Sequence, residues 1–338
     1  MIEINHLTKK YGNHVAVDDV SLNIESGKIY GFLGPNGAGK STTMNMITGY
    51  LGPTSGEIKI NGFDILANPE EAKRCIGYLP EIPPLYLDMT VGEYLRFAAE
   101  LKKIPKAERK KQVEEAMDLT KTKEMEHRLI KNLSKGYKQR VGLAQAVLGY
   151  PEVIILDEPT VGLDPKQIIE IRELIKALGK RHTVILSSHI LTDISAVCDH
   201  IFIISHGKLV ASDTTENLIN TSKGGQQLSL LVKGSEADTK SVLGKMAGIS
   251  KSVIEASEEE GCVKVHINGK AEKDLREDLF YAFANAKMPL LELKAVSSSL
   301  EDVFLKLTNQ TGETNILEQL LQDDQTSLPS GADKKGEQ

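Results

Sequence analysis

The residues with the most evident chemistry are contiguous: Gly34-Pro35-Asn36-Gly37-Ala38-Gly39-Lys40-Ser41-Thr42. Glycines at this spacing let a backbone wrap closely round an anion, and the lysine adds a cation at the end of the wrap. The apolar run Ile29 to Leu33 comes before it and reads as a buried strand, and Ser41 to Ile47 reads as a helix. A helix starting there points its free N–H groups and positive dipole end at a phosphate chain. Lys40 is then placed for the β- and γ-phosphates of a nucleotide, and the Ser41 hydroxyl for Mg²⁺.

A second group of candidates lies far along the chain. Val153-Ile154-Ile155-Leu156 reads as a strand buried on both faces, and it ends in Asp157-Glu158. Asp157 is placed to hold Mg²⁺, and Glu158 to polarise a water for in-line attack on a γ-phosphate. Two adjacent acids at a strand end are also the composition of a solvated turn. A third strand, Thr183 to Leu186, leads into Ser187-Ser188-His189. In an open parallel sheet the ligand crevice lies at the carboxyl ends of the strands. His189 is therefore a candidate for the γ-phosphate and the attacking water.

Between these two groups lies Leu133-Ser134-Lys135-Gly136-Tyr137-Lys138-Gln139-Arg140. It resembles the signature motif of ABC-type ATPases, in the Lys-containing form common among exporter ATPases. Given that resemblance, Gly34 to Thr42 looks like the Walker A loop, and Val153 to Glu158 like the Walker B strand. Val161-Gly162-Leu163-Asp164 looks like the D-loop, His189 like the switch histidine and Tyr11 like the aromatic that stacks on adenine. The resemblance covers roughly residues 1 to 220. It implies an α/β P-loop NTPase fold with an antiparallel β subdomain, a helical subdomain over about 85–150 and a small α+β C-terminal domain.

The activity implied is ATP hydrolysis, with ATP and Mg²⁺ bound. Two ATPase subunits of this family dimerise head to tail, so Ser134, Lys135, Gly136 and Asp164 would meet the ATP held by the partner. Ser134-Lys135-Gly136 equally reads as a plain helix N-cap. The family usually carries a glutamine after the strand Ile76 to Leu79, where this chain has Pro80-Glu81. Glu81 reads either as a hard oxygen ligand for Mg²⁺ or as a loop acid. With Leu85-Tyr86-Leu87-Asp88-Met89-Thr90 after it, Glu81 resembles the gliding-motility and multidrug/antibiotic-exporter ATPases. Such proteins drive a separate transmembrane permease, which implies a second ATPase subunit, permease partners, export, and a cytoplasmic location on the inner face of the membrane. The stretch Pro83 to Leu87 is the candidate permease contact, or a loop packed on its own core. Soluble family members that act on ribosomes carry two cassettes, and those that act on DNA carry long insertions. Neither feature is seen here.

The elements that must position these groups are legible in outline. Residues 1–30 and 56–66 read as short strands, with Asn61-Gly62 as a hairpin turn. Val91 to Leu101, Lys106 to Leu119 and Tyr137 to Leu148 have helical periodicity. Asp164-Pro165 opens a further helix, Lys166 to Gly179, and Ile201 to Val210 reads as a closing hairpin. Thr221 to Gly225 is small and polar, and marks a boundary after a first domain of residues 1–220. Residues 226–308 read as β-α-β-β-α-β, the ferredoxin-like order, followed by a helix opening at Ser299. A dimer-contact, regulatory or simply stabilising role is open for it. Residues 311–338 are polar and read as a disordered tail.

Composition narrows the classes. Of the 338 residues, 40% are apolar and 26% charged, as in ordinary globular protein. The net charge of −6 and the absence of tryptophan disfavour a broad nucleic-acid surface. The cysteines, Cys75, Cys198 and Cys262, lack metal-ligand spacing and read as reduced thiols. No apolar run approaches a membrane span, and Met1-Ile2-Glu3-Ile4 does not begin a secretory signal.

Overall fold

The computed structural model describes residues 1–221, 227–257, 259–269, 274–296, 300–301 and 303–304. They group into two compact units, Met1–Thr215 and Glu216–Leu305. The chain opens with β1 (Ile2–Tyr11), β2 (His14–Ile24), β3 (Ile29–Leu33), α1 (Lys40–Ile47), β4 (Ser55–Ile60), β5 (Phe63–Asp64), α2 (Pro69–Arg74) and β6 (Ile76–Leu79). The helices α3 (Val91–Leu101), α4 (Lys106–Leu119) and α5 (Lys135–Val147) follow. Next come β7 (Val153–Leu156), α6 (Pro165–Gly179), β8 (Thr183–Ser188), α7 (Leu191–Val197), β9 (His200–Ser205), β10 (Lys208–Asp213) and α8 (Thr215–Thr221).

One sheet of the first unit is antiparallel, in the order β2-β1-β4-β5. Its strands β1 and β2 are longer than the pieces expected from the sequence. Pairing continues through register shifts between Ile4 and Lys10, and those bulges break the alternation that marks a strand. Asn61 and Gly62 both have positive φ, at 50° and 84°, as a tight hairpin turn between β4 and β5 needs.

The other sheet has the order β10-β9-β3-β8-β7-β6. All its pairs are parallel except β9 with the edge strand β10. Every residue of β3 and β7 is buried, as strands covered on both faces require. Because β3, β6, β7 and β8 run the same way, their carboxyl ends open on one edge. That edge receives the loop at Gly34, Glu81, Asp157 and His189. A single core joins the two sheets: Ile2, Ile24 and Ile60 from one, Phe32, Ile155 and Phe202 from the other, and Met44 and Ile47 of α1.

The helical part is fixed by local signals. Thr90 and Glu93 form a capping box at the start of α3. Helix α5 begins at Lys135, two residues before the apolar periodicity does, because Ser134 caps it. Helices α2, α7 and α8 have no counterpart among the elements expected from the sequence.

The second unit carries β11 (Gln227–Lys233), α9 (Glu236–Leu243), β12 (Ile249–Ala256), β13 (Cys262–Gly269), α10 (Arg276–Asn285) and β14 (Leu290–Val296). Its strands pair antiparallel in the order β12-β13-β11-β14. Leu228, Leu230, Val265, Ile267, Leu279 and Phe283 fill its core. The expected helix start at Ser299, the boundary beyond Thr221 and the tail at 311–338 lie outside the described residues.

Candidate active site

The phosphate-type loop leaves β3 at Leu33 and enters α1 through Gly39. Gly39 sits at φ +103°, and a Cβ there would fall 2.5 Å from the carbonyl oxygen of Ala16. A Cβ on Gly34 would fall 2.4 Å from the carbonyl oxygen of Ile204. Both positions therefore need glycine, for conformation at Gly39 and for closeness at both. The N–H of Gly207 donates to the Ala38 carbonyl at 3.0 Å and seats the loop on the β9–β10 turn. Lys40 is 5% exposed. Its ammonium donates to the carbonyls of Gly34 at 2.9 Å and Pro35 at 3.2 Å, and lies 3.4 Å from Glu158 Oε1.

The end of β7 supplies the acids. Asp157 Oδ1 accepts from Ser41 Oγ at 3.1 Å and from Ser187 Oγ at 2.5 Å. Ser187 Oγ in turn accepts the Glu158 N–H at 2.9 Å. That contact holds Glu158 at φ +46°, a left-handed conformation that costs an ordinary residue about 1–2 kcal/mol. Backbone strain of this kind concentrates at functional sites. His189 Nδ1 lies 3.0 Å from Glu158 Oε2. Nearby on β6, Tyr78 donates to Asn45 Oδ1 at 3.1 Å. Burial, and then the negative charge of Asp157, push its hydroxyl pKa up to about 12.

Lys40, Ser41, Glu158 and His189 face a cleft of about 430 Å³. Its lining includes Tyr11, Asn36, Gly37, Gly39, Lys40, Ser41, Thr42, Glu81, Glu158 and His189. Gly34 and Ala38 are buried beneath the loop, and Pro35 offers its carbonyl to Lys40. Tyr11 is 51% exposed at the end of β1, with Lys9 Nζ 5.3 Å from its ring centre. A ring so placed can stack on a flat base. Glu81 is exposed at the rim.

Ser134, Lys135, Gly136 and Asp164 are not part of that lining. Ser134 is exposed and caps α5, its Oγ accepting from the Tyr137 N–H at 3.4 Å. Asp164 is exposed and caps α6, accepting from the Gln167 N–H at 2.9 Å. The two segments pack on each other within the chain. A Cβ on Gly136 would fall 2.6 Å from the Gln167 amide, and one on Gly162 would fall 2.2 Å from the Lys135 ammonium.

Comparison with known proteins shows the family. The family described as "ABC transporter" matches residues 17–161. The bacitracin transport ATP-binding protein BcrA of Bacillus licheniformis is 43% identical over 212 residues, 62% of this chain and 68% of that one. The linearmycin resistance ATP-binding protein LnrL of Bacillus subtilis (strain 168) is 31% identical over 312 residues, 92% of this chain and 99% of that one. The chain belongs to the ABC transporter family. It is an ATP-binding subunit and an ATPase of that family. The dimeric structure of MJ0796, a bacterial ABC transporter cassette, superposes with a TM-score of 0.58 at 27% identity, covering 63% of this chain and 98% of that one. No helix among the described residues of this ABC ATPase is long and apolar enough to cross a membrane.

Several residues that shape the site have roles that are not legible in the sequence. Ser187 joins Asp157 to the Glu158 backbone. Its only signal was its place at the end of a buried strand. Arg140, 6% exposed, donates to the Thr120 carbonyl at 3.2 Å and to Glu170, and so ties α5 to α6. Asp193, 2% exposed, joins Thr160 to Arg172. A charged residue buried in an ABC ATPase needs such partners, but nothing in the sequence names them.

Proposed function

We propose that this ABC ATPase drives export through a separate permease, as a head-to-tail dimer in which each ATP is held by both subunits. The observation that carries this reading is the separation of the two half-sites. Lys40, Ser41, Glu158 and His189 converge on one cleft. Ser134 and Asp164 stand exposed at the N-termini of α5 and α6, outside its lining. Helix N-termini favour anions, so α5 is suited to cap a γ-phosphate brought by a second copy.

Within the cleft, position supports the following roles. The loop N–H groups and Lys40 cradle the phosphates, and Tyr11 stacks on adenine. Glu158 accepts a proton from the attacking water. His189, hydrogen-bonded to Glu158, contacts the γ-phosphate and helps to hold that water in line. The Ser41 and Asp157 oxygens, 3.1 Å apart, are hard donors that fit Mg²⁺. Among the described residues no group of three or more His, Cys, Asp or Glu could hold a metal by itself. Such a sparse donor set suits an ion that keeps waters and phosphate oxygens as its other ligands. Mg²⁺ bound there would neutralise charge on the phosphates. Glu81 at the rim is proposed as a further oxygen ligand.

Export is supported by the relatives, which are named for bacitracin transport and linearmycin resistance. A permease partner, with the chain on the cytoplasmic face of the membrane, follows from the same reading. The exposed Ile82, Tyr86 and Leu87 beside Glu81 are its proposed contact. The test is Mg²⁺-dependent ATPase activity of the purified chain against protein concentration, with Glu158→Gln alongside. A rise steeper than linear, abolished in the variant, is expected. Strictly linear activity would count against a two-subunit site.

A further inference from the structure

We infer that Asp193 is a positioning residue that locks the Glu158 loop to the helix after His189, using Thr160 and Arg172 as its two clasps. The inference rests on the proposed roles of Glu158 and His189. Asp193 is on α7, four residues after His189, and is 2% exposed. Its two oxygens have separate tasks. Oδ1 accepts from Arg172 Nε at 3.0 Å and also from Arg172 Nη2. Oδ2 accepts from Thr160 Oγ1. Thr160 is itself 3% exposed and lies two residues after Glu158, on the way to Gly162 and Asp164.

Three segments of the first unit thus share one carboxylate. Arg172 brings α6, the helix that Asp164 caps. Thr160 brings the loop that carries Glu158 in its left-handed conformation. Asp193 brings α7, whose N-cap Ile190 directly follows His189. A side chain at Ser188 tightens the same corner, its Oγ accepting the Ile190 N–H at 2.9 Å.

A buried carboxylate must keep its partners, because losing one leaves an uncompensated charge away from water. The position of α7 therefore cannot drift from the Thr160 loop without breaking a charge-assisted hydrogen bond. The 3.0 Å approach of His189 to Glu158 is set by that same pair of segments. Asp193 is not among the residues that line the cleft, so its action on turnover is through geometry.

The loop clasp can be removed with little change of shape. Thr160→Val deletes the hydroxyl and keeps the branched side chain and the Arg172–Asp193 pair. Thr160→Ser keeps the hydroxyl and removes the methyl. The measurement is kcat and KM for ATP on the full chain, with thermal melting and the wild type and Glu158→Gln as controls. Small displacements of catalytic groups cost about tenfold to a hundredfold in rate. Thr160→Val is expected to lower kcat by at least about tenfold with KM changed less than about twofold, and Thr160→Ser to restore kcat. A wild-type kcat in Thr160→Val overturns the inference, and so does a serine variant as slow as the valine one. If Thr160→Val fails to fold, Arg172→Lys carries the test, since one ammonium cannot reproduce the guanidinium fork. A wild-type kcat in that variant overturns the inference equally. An active Glu158→Gln control would instead mean that the proposed role of Glu158 fails, and this inference with it.

Discussion

His189 Nδ1 lies 3.0 Å from Oε2 of Glu158, and the other oxygen of that carboxylate lies 3.4 Å from Lys40 Nζ. One acid is thus held between the residue that follows β8 and the cation of the phosphate loop. Its own backbone is fixed by Ser187. In its proposed role Glu158 would enter the reaction already oriented, with little reorganisation left for the moment of attack.

That arrangement makes Glu158→Gln informative. The amide keeps the shape but cannot accept a proton from water. Turnover is expected to fall by about 10²–10⁴-fold, the usual contribution of a general base. ATP binding is expected to persist, because the loop and Lys40 are untouched. Size-exclusion chromatography with ATP present checks this: the variant elutes as a dimer that retains nucleotide.

The parts of the site that the sequence reveals are contiguous ones. Gly34 to Thr42, Asp157-Glu158 and His189 each follow an apolar run, and a buried strand announces itself by that run. What joins them is long-range. Ser187 reaches Asp157 across 30 positions, and Asp193 reaches Thr160 across 33. Side chains that meet only after folding leave no periodic trace. Helix α2 carries Pro69 at its start and Glu70 and Glu71 in its first turn, signals that were present in the sequence. The apolar pattern begins later than α5 itself, because Lys135 and Gly136 add nothing to it. Ser134 as cap was the better guide.

Gly39→Ala tests the loop itself. The methyl would meet the Ala16 carbonyl at 2.5 Å, and φ of +103° is a conformation alanine resists. The cost is expected at about 1–3 kcal/mol. For a unit of this size that lowers the melting temperature by about 2–4 °C per kcal/mol. Because this residue is the N-cap of α1, ATP affinity is expected to fall with it. Calorimetric melting and nucleotide titration measure the two effects. A variant with wild-type melting and affinity would show that the loop relaxes freely.

Glu81 can be tested by size and charge separately. As a metal ligand, its oxygen matters more than its charge, so Glu81→Gln is expected to keep most of the ATPase activity. Glu81→Ala is expected to lower activity and raise the Mg²⁺ concentration needed for half-maximal rate. An alanine variant with full activity at limiting Mg²⁺ would sink the assignment and leave Glu81 as a loop acid.

The two-subunit site predicts an outcome that a one-subunit site forbids. Lys40→Ala removes the cation of the phosphate loop, and Ser134→Arg blocks the N-terminus of α5 on the exposed ledge. Each variant alone damages both composite sites of its homodimer, so each is expected to be inactive. In a mixed dimer the two defects fall on the same composite site. The other then combines an intact loop with an intact α5 N-terminus. When equal amounts are mixed, about half of the dimers are mixed, each with one sound site of two, so about a quarter of wild-type activity is expected to return. The steady-state ATPase rate of the mixture measures it. If each chain hydrolysed ATP by itself, both defects would stay where they are and mixing would restore nothing.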